Sequence, residues 1–181
     1  MKRKISLSLA VPNTLNKKFK LIQKDLKKTI GIKNYMINNP SLHINILSGE
    51  LHDRELRKLY SIKFNQNISK SVDFMGFGIF LNFKNNNVLY SRFSNTSLIY
   101  SIRTLLLKKI YKKFDLVDDT ASKKLWIPKA TLAMRDFPVS KINKVAKIIS
   151  KYNFDKKKYK SNYIFIIDYT VKEKIIKKIK I

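Results

Sequence analysis

Two short stretches hold the side chains best suited to chemistry. In 42–47, Leu-His-Ile-Asn-Ile-Leu, an extended backbone puts His43, Asn45 and Leu47 on one face and Leu42, Ile44 and Ile46 on the other. In 126–134, Trp-Ile-Pro-Lys-Ala-Thr-Leu-Ala-Met, Lys129 and Thr131 stand in the same relation. A histidine changes protonation near neutrality and serves as general acid or base. A hydroxyl or amide two residues on can hold a phosphate oxygen. Lysine ionises at about 10.4, so it clamps phosphate better than it shuttles protons. Repulsion in a cationic cleft would lower that value, and a bound phosphate would raise it again. The run Lys156-Lys157-Lys158-Tyr159-Lys160 offers cations around an aromatic ring, fit to hold a phosphate backbone and stack a base, or simply a solvated loop.

Each of these residues also has an ordinary reading. His43 can be an idle, hydrogen-bonded strand histidine, and Thr131 a β-branched strand residue. Lys129 is one lysine among 33, Trp126 reads as core, and His52 lies in a turn.

Composition narrows the field. The 181 residues carry 39 Lys+Arg against 12 Asp+Glu, a formal net charge of +27. A/T-rich codon usage accounts for Lys over Arg, but not for the scarcity of acids. So large an imbalance repels itself, and a polyanion, RNA above all, is the expected partner. The absence of cysteine excludes disulfide scaffolds, thiol catalysis and Cys-based metal sites. With only His43 and His52, no metal centre and no cofactor is expected. No apolar run approaches the ~18 residues of a membrane span, and the start, MKRKISLSLAV, reads as a strand instead of a signal peptide. An intracellular, reducing compartment follows as the expectation, cytoplasm or organelle matrix.

The elements that must position these residues alternate. A strand over 5–11 ends at Pro12, with Asn13 or Thr14 to cap a helix whose apolar set is Leu15, Phe19, Ile22, Leu26 and Ile30, stopped by Gly31. A strand follows over 42–47, then a turn at Gly49 and a short helix over 53–60. Strands over 72–83 and 88–93 flank Asn85-Asn86-Asn87. Asn95 or Thr96 caps a second long helix, and a loop holds Asp118, Asp119 and Ser122. The strand 126–134, entered through Pro128, belongs at an edge or bulge. A third helix covers 139–152, a strong strand 163–169, and a Lys/Ile alternation closes the chain. The class is α+β: one domain over 1–181 with approximate halves 1–85 and 86–181, and helices outside two small antiparallel sheets.

The two polar-faced strands, with Gly49-Glu50 after the first and Pro-Lys-Ala-Thr-Leu-Ala in the second, resemble the 2H phosphoesterase superfamily, which includes the 2'-5' RNA ligase-like proteins and cyclic phosphodiesterases. Met75-Gly76-Phe77-Gly78-Ile79-Phe80 resembles the family's Gly-containing middle strand, and Asn87-Val88-Leu89-Tyr90 fits as well. The family pattern is His-x-Thr/Ser twice. The resemblance implies a two-lobed, pseudo-symmetric fold around a cleft, with strands 42–47 and 126–134 side by side at its floor. It also implies catalytic positions at His43 and Thr131, a degenerate pair with Asn45 and Lys129, the last two being placed to hold phosphate. The pattern departs where the chemistry sits: Asn45 replaces the first threonine and Lys129 the second histidine.

The favoured expectation is therefore a non-catalytic RNA-binding protein on a degenerate 2H-like fold, part of a ribonucleoprotein particle such as a ribosome, where protein neighbours are possible. The alternatives are an active 2',3'-cyclic phosphodiesterase or RNA end-processing enzyme using His43, and a cyclic-nucleotide sensor, which would not need +27.

Overall fold

The computed structural model describes residues 1–32, 42–64, 70–81, 87–117, 126–134, 137–154 and 158–181. Among the described residues it is α+β, with two antiparallel sheets and four α-helices.

The first strand, β1 (Lys2–Ala10), alternates apolar Ile5, Leu7 and Leu9 with Ser6 and Ser8. That period of two places the aliphatic set in the core and the serines on the opposite face. Both faces are covered, since Ser6 and Ser8 are as buried as the leucines. Helix α1 (Asn13–Ile30) buries Leu15, Phe19, Ile22, Leu26 and Ile30, the set its spacing predicts. Neither Asn13 nor Thr14 caps it: Pro12 occupies the N-cap position with no side-chain bond, and its carbonyl accepts from Asn16 N at 2.8 Å. Gly31, at φ 77°, ends it.

Strand β2 (His43–His52) runs straight through Gly49, where a turn was expected. A short strand β5 (Leu116–Val117) pairs with Gly49 and Glu50 from the side. A Cβ at position 49 would run into the Leu116 carbonyl and the Phe114 ring, so this glycine allows close approach of a neighbouring strand. Gly49→Ala should cost about 1–3 kcal/mol, read as a lower urea midpoint at unchanged slope; an unaltered midpoint would refute the close-approach reading.

The five-stranded sheet has the order β5-β2-β1-β8-β9, with β8 (Tyr163–Asp168) and β9 (Lys174–Lys180) closing it. The second sheet has the order β6-β4-β3-β7. It contains β3 (Ser71–Phe80), β4 (Val88–Phe93), β6 (Lys129–Met134) and β7 (Lys158–Lys160). Strand β6 is an edge strand, as Pro128 implied, and the Pro128 carbonyl accepts from Phe93 N at 2.9 Å. Both sheets draw strands from both chain halves, 1–85 and 86–181.

Helix α2 (Asp53–Leu59) follows β2 directly. Thr96 caps α3 (Ser97–Lys109), its hydroxyl accepting from Ile99 N at 3.5 Å. The helix expected over 139–152 is a 3₁₀ turn, Val139–Lys141, followed by α4 (Ile142–Ile149). One apolar core joins both sheets and the helices: Leu9, Phe19, Ile44, Phe93, Leu132 and Ile166 all belong to it. Phe19 meets Phe74, Phe77 and Phe154 at centroid distances of 5.6, 5.8 and 6.0 Å. Of the polar turn Asn85-Asn86-Asn87 only Asn87 is described, buried and donating to the Phe137 carbonyl at 3.0 Å; Asn85, Asn86, Asp118, Asp119, Ser122, Lys156 and Lys157 lie outside the described residues.

Candidate functional site

His43 and Asn45 share one face of β2, as the alternation requires. Opposite them across the ladder stand Ala10 and Ser8. A bulge between Leu7 and Ser8 then shifts the register, so that Ser48, not Leu47, continues the polar face opposite Ser6. These residues form a buried network. Ser6 and Ser8 hydroxyls lie 2.6 Å apart, Ser6 Oγ donates to Asn45 Oδ1 at 3.1 Å, and Asn45 Nδ2 donates to Ser48 Oγ at 3.0 Å. Both ends of the Asn45 amide are engaged within the protein, so a phosphate at Asn45 must compete with Ser48.

His43 is 7% exposed. Its Nε2 is 2.8 Å from the Tyr169 hydroxyl, and its Nδ1 faces Glu173 Oε1 at 3.8 Å, beyond hydrogen-bond range. Tyr169 follows β8, its own N–H donating to the Lys4 carbonyl, and its hydroxyl reaches His43. Glu173 sits between β8 and β9 with its side chain 11% exposed, and its buried Oε1 has no hydrogen-bond partner among the described residues. Burial pushes its carboxyl up to about 7, while the charge of Lys20 on α1 pulls the other way. Beside this network lies a hollow of about 300 Å³ lined by Lys4, Asn45, Ser48, Glu50, Leu116 and Tyr169, at the low end of small-ligand pockets.

A carboxyl that binds its proton more tightly folded than unfolded stabilises the fold at low pH and loses that contribution as pH rises. For Glu173 the loss runs from about 4.5 to about 7. Glu173→Gln should therefore be neutral near pH 4.5. At pH 8 it should stabilise by roughly 1–2 kcal/mol, after allowance for solvent reaching the loop. Denaturant midpoints of both proteins at the two pH values check this; equal differences at both would overturn it.

The second motif lies in the other sheet. Lys129 pairs with Arg92 and Thr131 with Tyr90, so all four share one face of the four-stranded sheet. Burial, not repulsion between cations, lowers the pKa of Lys129. Its Nζ stands 5.3 Å from the Phe80 ring centroid and 6.0 Å from that of Tyr90. The π-faces partly replace the hydration the ammonium has lost.

Strands β2 and β6 touch although they belong to different sheets. The Trp126 indole N–H donates to the Asn45 carbonyl at 2.9 Å, and Arg103 from α3 lies 4.1 Å above the indole while its Nη1 donates to the Ile46 carbonyl at 2.6 Å. Gln23 of α1 donates to the Leu132 carbonyl at 2.8 Å, so α1 also anchors β6. Trp126 thus packs on the core, as read from the sequence.

Within the basic run, Lys158 to Lys160 form β7 and pair with β3. Lys158 and Lys160 point to solvent, whereas Tyr159, opposite Val72, packs against the core. Strand pairing therefore separates the ring from the two cations that the sequence placed around it.

Searched against models of known protein families and against curated protein sequences, the chain matches none. Sequence reasoning missed Tyr169, Glu173 and Lys20 around His43. Only the alternation Phe165, Ile167, Tyr169 hinted that Tyr169 shares the face of Ser6 and Ser8. It also missed the Phe80–Tyr90 pair, which the register of β3 against β4 creates.

Proposed function

We propose that this chain is an RNA-binding protein, a component of a ribonucleoprotein particle such as a ribosome, on an α+β fold that descends from a 2H-like phosphoesterase and has given up catalysis. The observation that carries the reading is the distribution of charge. Asp53, Glu55, Asp115 and Asp168 gather around the start of β1 and the end of β2, whereas Asp25, Asp73 and Glu173 lie elsewhere. Asp53 and Asp168 take Arg3, Asp115 takes Lys2, and Glu55 takes Lys58 and Lys113. Elsewhere lysines prevail. Strand β9 exposes Lys174, Lys177, Lys178 and Lys180 along an edge of the five-stranded sheet, and β7 exposes Lys158 and Lys160 along an edge of the four-stranded sheet. Lysines on an edge strand also deter aggregation, but that need does not account for +27 over the whole chain. A phosphate backbone would release counterions along both edges. Sedimentation from the native cell tests the proposal: the protein should travel with a large particle and leave it on ribonuclease treatment. Migration as a free protein with or without ribonuclease would refute it.

One observation favours a second reading, an active phosphodiesterase using His43. Tyr169 and Glu173 flank the imidazole with two further proton-carrying groups, beside a hollow of about 300 Å³. Against it, the Tyr169 hydroxyl occupies Nε2, and the ring is nearly sealed.

A further inference from the structure

Phe80 and Tyr90 lie on the open face of the four-stranded sheet with ring centroids 4.5 Å apart and planes inclined by 25°. Tyr90 stands opposite Gly78, and a Cβ there would collide with the Tyr90 ring, so the missing side chain lets the ring lie down across β3. Phe80 stacks on that ring and is still 38% exposed. Cations frame the pair. Lys129 Nζ is 5.3 Å from the Phe80 centroid, and Arg92, next to Lys129 across the ladder, is exposed. An apolar partner would leave Lys129 and Arg92 without counter-charge. An unpaired nucleotide satisfies both halves of the surface, its base on the ring and its phosphates on the cations.

We infer that the open face of β3, β4 and β6 is a binding platform for unpaired RNA, with a base stacked on Phe80 over Tyr90 and the flanking phosphates held by Lys129 and Arg92. The inference rests on the RNA-binding reading and assigns it a place and a preference for single strands. Two probes separate the two ideas: a short oligouridylate, and an abasic oligomer with the same number of phosphates. Wild-type protein should bind the oligouridylate more tightly. Phe80→Ala, with its site already partly exposed, and Tyr90→Leu should each weaken oligouridylate binding about five- to a hundredfold. Both should leave abasic binding unchanged. Ultraviolet irradiation of wild-type protein on oligouridylate should attach uridine to a peptide containing Phe80 or Tyr90, a readout independent of whether the variants fold. Equal loss on both probes, or no loss on either, together with attachment elsewhere, would overturn the platform while leaving RNA binding intact. Failure of the wild type to bind either probe would overturn both.

Discussion

Affinity for structured RNA is expected to fall by about 10³–10⁵ between 50 and 200 mM salt, if ~6–10 phosphates are neutralised. The physical cause is the release of condensed counterions by lysines that find few acids within the protein. Strand β9 alone exposes four lysines, and β7 adds two. Replacing Lys158 and Lys160 by Glu should weaken binding to all sequences alike and flatten the salt slope, because backbone contacts carry no base information. Anisotropy titrations over a salt series read both effects. Binding that ignores salt would mean that the charge serves another partner.

The second large effect concerns catalysis. Wild-type protein should show no measurable hydrolysis of 2',3'-cyclic phosphate ends. One histidine stands where the 2H pattern uses two, and His43 presents Nε2 to Tyr169 instead of to a substrate. Lys129→His with Asn45→Thr rebuilds the 2H pattern and should raise turnover by about 10²–10⁴, the usual contribution of one positioned acid or base. Asn45→Thr also dissolves the link from Ser6 to Ser48, so a melting curve must accompany the assay. Turnover by the wild type, lost in His43→Ala, would install the enzyme reading in place of the proposed one. Inactivity of both proteins would leave the fold as a scaffold alone.

Local pattern reveals which face a residue takes, and here it did so well. The three- and four-residue steps of Leu15, Phe19, Ile22, Leu26 and Ile30 located α1, and the alternation around His43 and Asn45 located β2. What a face meets depends on partners far along the chain. Tyr169 reaches His43 across 126 positions, and Trp126 reaches Asn45 across 81. Nothing local in either segment encodes the other. Bulges add a second difficulty. The shift at Leu7/Ser8 turns Ser48 rather than Leu47 onto the polar face, and a shift of one residue reverses every side chain after it. Gly49 shows the third: a glycine fit for a turn also fits a place where a strand edge approaches, and only the docking of β5 decides between them.

The order of the five-stranded sheet also sets when the molecule can fold. Strand β1 lies between β2 and β8, and the Arg3–Asp168 pair spans 165 positions. The middle of that sheet therefore lacks one neighbour until β8 has been synthesised. A nascent chain must hold β1 with one hydrogen-bonding edge open and its apolar face incompletely covered, a state prone to wrong pairing. Such long-range closure places refolding in the slow class, milliseconds to seconds, for two-state domains of this kind. Stopped-flow refolding should show it, and a chain cut before β8 should remain collapsed and aggregation-prone. A protein assembled into a particle during its own synthesis would gain from a polyanion that shields its lysines over that interval.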